Sequence, residues 1–275
     1  MNIVEWRKKQ IPVLKKTSNT ASLDADLLLS YVLKKSRAEL IASTLEFTEG
    51  QEKRLDSLVG RRLAGEPIAY LIEHQPFWSF NLKVTQDTLI PRPETECLIE
   101  WILAYYDRTT ALQAADLGTG SGAIALTLAK ERPTWKIAAT DISEEALSIA
   151  KQNAEKYQLP NITFHSGDWF AALPSQQYNL IVSNPPYVAE NDLHLSQLTF
   201  EPSLALVSGK NGLAALSHII PTAKQHLKKN GVLIVEHGYD QDAAVTNLFE
   251  KAGYCAITSH RDLADIPRFV VGKSP

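Results

Sequence analysis

The chain has 275 residues and 44% hydrophobic content, enough for one full-sized domain and a smaller one with a core of its own. A net charge of -3 argues against a surface that holds nucleic acid through nonspecific phosphate contacts. Cys97 and Cys255 lie far apart without metal-ligand or disulfide spacing, no apolar run reaches the roughly 18 residues of a membrane span, and the first residues lack the apolar stretch of a signal peptide. A soluble, cytoplasmic protein in a reducing compartment, without a metal site, is expected.

From Met1 to about Ile72 the patterning is helical, with no run of strand alternation. Ser22 to Leu33 carries acids in its first turn and a broad apolar face, which predicts the buried helix of a small bundle. Thr48-Glu49-Gly50-Gln51 fits the capping-box pattern, and its helix runs through Leu55, Leu58, Val59 and Leu63 before Gly65-Glu66-Pro67 stops it. Residues 1 to 72 hold 12 Lys and Arg against 9 Asp and Glu, a net of +3 that leaves -6 for the remainder. Such a basic part either meets an acidic protein or RNA or is simply solvated.

Residues 76 to 90 change to alternating aromatic and β-branched positions, which predicts a short hairpin between two domains. In Pro91-Arg92-Pro93-Glu94-Thr95-Glu96 the prolines impose an extended approach to a helix starting near Thr95. Its charges either pair at the domain junction or face a site. From about Gln113 strands and helices alternate, as a doubly wound sheet requires. Strands are predicted at Ala114 to Leu117, Lys136 to Thr140, Ile162 to His165, Tyr178 to Val182 and Gly231 to Glu236, with two last ones around Ala256 to Thr258 and Arg268 to Val271. Helices are predicted from Ala123 to Lys130, from Ser143 onward, and from Asp240 to Ala252.

Between the first of these strands and its helix lies Gly118-Thr119-Gly120-Ser121-Gly122, a loop whose missing side chains let backbone approach a ligand. Gly118, Gly120 and Ala123 satisfy a loose dinucleotide pattern, which is a weak signal by itself. Asp116 tilts the reading: a carboxylate beside the glycines repels a pyrophosphate and attracts the ammonium or sulfonium of S-adenosylmethionine. Asp141, ending the second strand, is placed to accept ribose hydroxyls in either cofactor class. Asp168-Trp169, after the third strand, offers an acceptor and an aromatic surface for adenine, or a helix cap and a core residue. The topology brings all of them to one crevice at the carboxyl ends of parallel strands.

The fourth strand delivers Asn184-Pro185-Pro186-Tyr187 to that crevice. Each proline holds its predecessor extended and lacks an N–H, so the loop is stiff and offers only acceptors between Asn184 and Tyr187. Such a wall suits a ligand with an –NH2 group, and Tyr187 adds a ring face; the alternative is an ordinary Pro-Pro turn. His165 and His237 show no ligand spacing and read as structural.

Assembled, these residues make the chain resemble the class I S-adenosylmethionine-dependent methyltransferases with an Asn/Asp-Pro-Pro-Tyr motif. More narrowly, it resembles the HemK or PrmC family, the protein-(glutamine-N5) methyltransferases of peptide chain release factors. The likeness also covers Gly65-Glu66-Pro67-Ile68-Ala69-Tyr70, Phe77-Trp78, Ile90-Pro91-Arg92-Pro93-Glu94-Thr95-Glu96, Glu201-Pro202 with Ala205-Leu206, and Glu236-His237-Gly238. Two positions depart from it, Glu73 and Asp265, each standing where the family often has glycine.

The resemblance implies a Rossmann-like α/β domain with a mostly parallel seven-stranded sheet over residues 91–275. A β-hairpin linker over 74–90 and an all-α substrate-recognition domain over 1–73 precede it. It implies S-adenosylmethionine held by Gly118, Thr119, Gly120, Ser121, Gly122, Asp141, Trp169 and Asn184, to which the reading of the strand ends adds Asp116 and Asp168. The substrate amide is held by Asn184, Pro185, Pro186 and Tyr187, with the Asn184 side chain and the Pro185 carbonyl as the catalytic acceptors. The implied partner is a class I release factor, modified in translation termination by a monomeric enzyme with no direct nucleic-acid substrate. Methylation of an exocyclic amine on adenine or cytosine, and a noncatalytic release-factor or ribosome-binding module, are the competing readings.

Overall fold

The computed structural model describes residues 1–41 and 45–275, which form two compact units, Met1–His74 and Gln75–Pro275. The first is helical: α1 (Ile3–Leu14), α2 (Ala21–Leu33), α3 (Arg37–Ile41), α4 (Glu49–Leu63) and α5 (Ile68–Leu71). Its core gathers Trp6, Leu28, Leu29, Leu55 and Leu58 from successive helices. Thr48 and Gln51 form the expected capping box of α4, and a second box, Asn2 with Glu5, starts α1. Asp24, in the first turn of α2, is buried against Arg62 of α4 at 2.7 Å, so it ties two helices together as well as serving the dipole.

A hairpin of β1 (His74–Phe77), whose first residue closes the first unit, and β2 (Phe80–Lys83) comes next, followed by α6 (Glu94–Tyr105). The pairing is shorter than the aromatic alternation predicts, because from Thr85 to Thr88 the hydroxyls bond the chain into a turn. The sheet and its helices then run β3 (Gln113–Leu117), α7 (Ala123–Glu131), β4 (Lys136–Asp141), α8 (Glu144–Lys156), β5 (Ile162–Ser166) and β6 (Tyr178–Ser183). They continue with α9 (Ala214–His226), β7 (Leu227–Glu236), α10 (Asp242–Lys251), β8 (Cys255–Arg261) and β9 (Pro267–Lys273). The seven strands order as β5-β4-β3-β6-β7-β9-β8; the five from β5 to β7 are parallel, and β9 runs antiparallel to both its neighbours.

Strand alternation divides the core into two layers. Ala114, Leu180, Val182, Val232 and Ile234 face one layer with α6 and α7; Ala115, Ile181, Leu233 and Val235 face the other with α9 and α10. β7 begins four residues before the predicted Gly231, with an irregular register opposite Tyr178 and Leu180. The helix α9 carries Pro221 inside it, which masks its helical signal in the sequence. Glu73 and Asp265 sit at φ +62° and +61°, left-handed backbone in which glycine is the unstrained residue. Among the described residues, no helix is long and apolar enough to cross a membrane.

Candidate active site

The carboxyl ends of the parallel strands surround a cavity of about 590 Å3. One corner is the glycine loop after β3. Gly118, Gly120 and Gly122 take φ of +71°, +56° and +90°, which glycine adopts freely. The Thr119 amide donates to the Thr140 carbonyl at 2.9 Å and the Gly120 amide to Asp141 Oδ2 at 2.8 Å, fixing the loop to the end of β4. Gly118, Thr119, Gly120 and Ser121 line the cavity. Gly122 does not; it begins α7, where a Cβ would lie 2.3 Å from Leu126 Cδ1, so its smallness serves helix packing.

Asp116 also stands behind the wall, 1% exposed. Its Oδ2 accepts from Thr119 Oγ1 at 2.7 Å and from the Ala125 amide at 3.1 Å, while its Oδ1 has no partner. Burial pushes its carboxyl up to about 7 against those two bonds. An unpartnered carboxylate oxygen costs stability where it is buried. Asp141 lines the cavity and accepts from the Ser143 amide at 3.0 Å; burial raises its carboxyl as well.

After β5, Gly167, Asp168 and Trp169 complete this corner. Asp168 is exposed, and its side chain makes no cap bond to the short 3-10 turn it precedes. Trp169 has φ +40°, rare for a bulky residue, and its half-buried ring packs against the second core layer. A Cβ on Gly118 would come within 3.2 Å of that ring, so the glycine makes room for an indole that forms part of the wall.

The opposite corner is the proline loop. Ser183 Oγ donates to the Leu117 carbonyl at 2.7 Å and locks the ends of β6 and β3 together. Asn184 and Pro186 line the cavity. Asn184 Nδ2 donates to Thr95 Oγ1 at 3.3 Å, Thr95 Oγ1 donates to Glu236 Oε2 at 2.7 Å, and Asn184 Oδ1 is buried without a partner. Glu236, 1% exposed at the end of β7, is pushed up to about 7 by burial; the Thr95 bond and the Arg268 charge act the other way.

Pro185 and Tyr187, expected to face the substrate, do not line the cavity. Pro185 is buried, and the Tyr187 ring packs on the second core layer. The chain turns there because Gln241 Nε2 donates to the Tyr187 carbonyl at 3.0 Å while the tyrosine hydroxyl donates to Glu236 Oε1 at 3.4 Å. His237 is buried beside Gly238 and Asp242, and burial pulls its pKa below the usual imidazole value; neither it nor His165 lines the cavity.

The Arg-Pro-Glu-Thr-Glu segment resolves into separate tasks. Arg92 lines the cavity and pairs with Glu201 at 2.5 Å, whose other oxygen accepts from the Ile90 amide at 3.1 Å. Glu96 accepts from the Trp78 amide at 2.7 Å and fastens the hairpin to α6. Both motifs stand out in the sequence, but nothing there couples Thr95 to Glu236. Among the described residues no cluster of three metal-ligating side chains occurs.

Residues 109–270 match the family described as Methyltransferase domain, and residues 5–72 match the PrmC N-terminal domain. A release factor glutamine methyltransferase of Coxiella burnetii (strain RSA 493 / Nine Mile phase I) is 49% identical over 99% of both chains. The chain belongs to the release factor glutamine methyltransferase family. The family's Escherichia coli (strain K12) member is 42% identical, again over 99% of both chains. The fold is shared more widely. A methyltransferase from Pyrococcus furiosus superposes with a TM-score of 0.55 at 16% identity, covering 82% of this chain and 99% of that one. The hMettl16 catalytic domain superposes with 0.58 at 17%, covering 84% and 82%. The protein is therefore a methyltransferase with the α/β architecture of its class, preceded by a helical unit.

Proposed function

We propose that the protein transfers a methyl group from S-adenosylmethionine to the side-chain nitrogen (N5) of the glutamine in the Gly-Gly-Gln loop of class I peptide chain release factors. The observation that carries this reading is Asn184 Oδ1, a buried acceptor without a partner on a residue of the cavity wall. When bound, S-adenosylmethionine supplies an electrophilic methyl on a sulfonium and departs as S-adenosylhomocysteine. The residues present fit it: Asp116 Oδ1 is unsatisfied and suits a cationic end, Asp141 suits ribose hydroxyls, and Trp169 with Asp168 suits an adenine.

A glutamine nitrogen is a weak nucleophile because its lone pair is delocalised into the carbonyl. By accepting one N–H, Asn184 Oδ1 orients the nitrogen and stabilises it as that N–H becomes more acidic. With the cofactor bound, the nitrogen would take the methyl as the cofactor leaves as S-adenosylhomocysteine, and one N–H proton would pass to solvent. Pro185 and Pro186 act by stiffness, keeping Asn184 in place. The helical unit, whose residues 1 to 72 carry a net +3, is assigned to receiving the protein substrate in the cytoplasm.

Methyl-labelled S-adenosylmethionine incubated with the protein and a purified class I release factor tests the reading. Label is expected in the factor and absent when the glutamine of Gly-Gly-Gln is replaced. Label that survives the replacement, or that enters DNA or RNA instead, overturns it.

A further inference from the structure

A carboxamide has two ends of nearly the same shape, so the space around Asn184 does not by itself decide which end is offered to a substrate. The decision lies in what stands behind it. Glu236 closes β7, Thr95 lies in the first turn of α6, and Asn184 follows β6, so three separate elements meet in one hydrogen-bonded line. Above about pH 7, the value to which burial pushes its carboxyl, Glu236 is ionised and only accepts, so there the single hydroxyl proton of Thr95 goes to Oε2 at 2.7 Å. The oxygen of Thr95, its proton committed, can only accept from Asn184, and the group facing it at 3.3 Å must be Nδ2. Oδ1 is what remains, and it is the atom with no partner in the protein.

We propose that Glu236, acting through Thr95, is a positioning residue that sets the polarity of the Asn184 amide and thereby selects a nucleophile presenting N–H over one presenting a lone pair. The proposal rests on Asn184 as the acceptor of the substrate amide and adds the reason that it accepts. Reversing the line shows the consequence. If residue 236 donated to Thr95 Oγ1, the threonine proton would turn to Asn184 Oδ1, the amide would flip, and Nδ2 would confront the N–H groups of the substrate. The charges around Glu236, Glu94 and Arg268, and the hydroxyl of Tyr187 act on the carboxylate and not on the amide, so only Thr95 transmits the preference.

The test measures turnover on release factor and affinity for S-adenosylhomocysteine in Thr95→Val, Thr95→Ser and Glu236→Gln, each also in an Asn184→Ala background. Thr95→Val and Glu236→Gln are expected to lower kcat about tenfold, the worth of about 1.4 kcal/mol, with product-cofactor affinity within about twofold of the parent. Thr95→Ser, which keeps the hydroxyl, should recover most of the loss. Because the line works only through Asn184, neither change should cost much further in the Asn184→Ala background. Parental kcat in Thr95→Val and Glu236→Gln, a serine variant as impaired as the valine, or losses that persist in full without the Asn184 amide would each overturn the relay. Should Thr95→Val not fold, Glu236→Gln and its pairing with Asn184→Ala decide the matter alone. A parental rate in Asn184→Ala itself is a different failure: it removes the assigned acceptor, and the relay falls with it.

Discussion

The two corners of the cavity share a device and use it differently. Each contains a buried side-chain oxygen that the protein leaves unsatisfied, Asp116 Oδ1 at the glycine loop and Asn184 Oδ1 at the proline loop. Each also has a carboxyl pushed up to about 7 by burial, Asp116 in one case and Glu236 in the other. At the glycine corner the unpartnered oxygen belongs to the carboxylate itself, behind the loop that lines the cavity. At the proline corner the carboxylate is one hydroxyl removed and a neutral amide waits in its place, which suits an uncharged –NH2. On the proposed reading, a buried carboxyl attracts a cation in one corner and sets hydrogen-bond direction through a hydroxyl in the other.

The largest expected effect comes from deleting the waiting amide. Asn184→Ala should lower kcat about 100- to 1000-fold, about 3 to 4 kcal/mol, as for loss of one preorganised hydrogen-bonding group. Single-turnover methylation would show it, and a parental rate would place the acceptor elsewhere.

Next comes the charged partner. Asp116→Asn keeps the shape and removes the charge, so affinity for S-adenosylmethionine measured by calorimetry at pH 8 should fall roughly 30-fold, about 2 kcal/mol. The same variant has an opposite effect without ligand. The folded carboxyl, raised from 3.8 to about 7, holds its proton more tightly than the unfolded one. Its contribution to stability is therefore full below that lower value and lost as pH rises towards 7. Asp116→Asn should gain on the parent by roughly 1.4 kcal/mol per pH unit across this window in denaturant titrations. A flat difference would show that the carboxyl is not raised.

Gly122→Ala separates wall from scaffold within the glycine loop. With φ +90° and a Cβ 2.3 Å from Leu126 Cδ1, the variant should lose about 1 to 2 kcal/mol of stability while cofactor affinity stays near the parental value. A large affinity loss in a stable variant would return Gly122 to the binding surface. The smallest effect belongs to Tyr187→Phe, which removes only a 3.4 Å contact to Glu236 and should change turnover by less than about threefold. A tenfold loss would add Tyr187 to the line that orients Asn184.

Much of this site is legible in local sequence. The run Asp116 to Gly122, the acid closing β4, Trp169 after β5 and Asn184 after β6 follow from apolar strands ending in residues that no strand interior requires, and parallel topology carries such ends to one rim. The capping box at Thr48 is equally local, because its partner lies three residues away. Gly122, Pro185 and Tyr187, like Asp116, stand outside the lining of the cavity and are neighbours of residues that form it. Motif spacing brings a loop to a site, but burial alone decides which of its side chains turn inward and which turn to the core.

By itself the sequence determined the alternation of most strands and helices, the stiffness of the proline loop and the residues at the strand ends, because these depend on backbone preference and on neighbours a few positions away. Only the tertiary structure decided that Thr95 meets Glu236 across 141 positions and Asn184 across 89, and that Asp116 Oδ1 and Asn184 Oδ1 remain without partners. Hydrogen-bond satisfaction is a property of a closed shell of atoms drawn from distant parts of the chain. It comes into being only when the sheet brings β6 and β7 alongside α6.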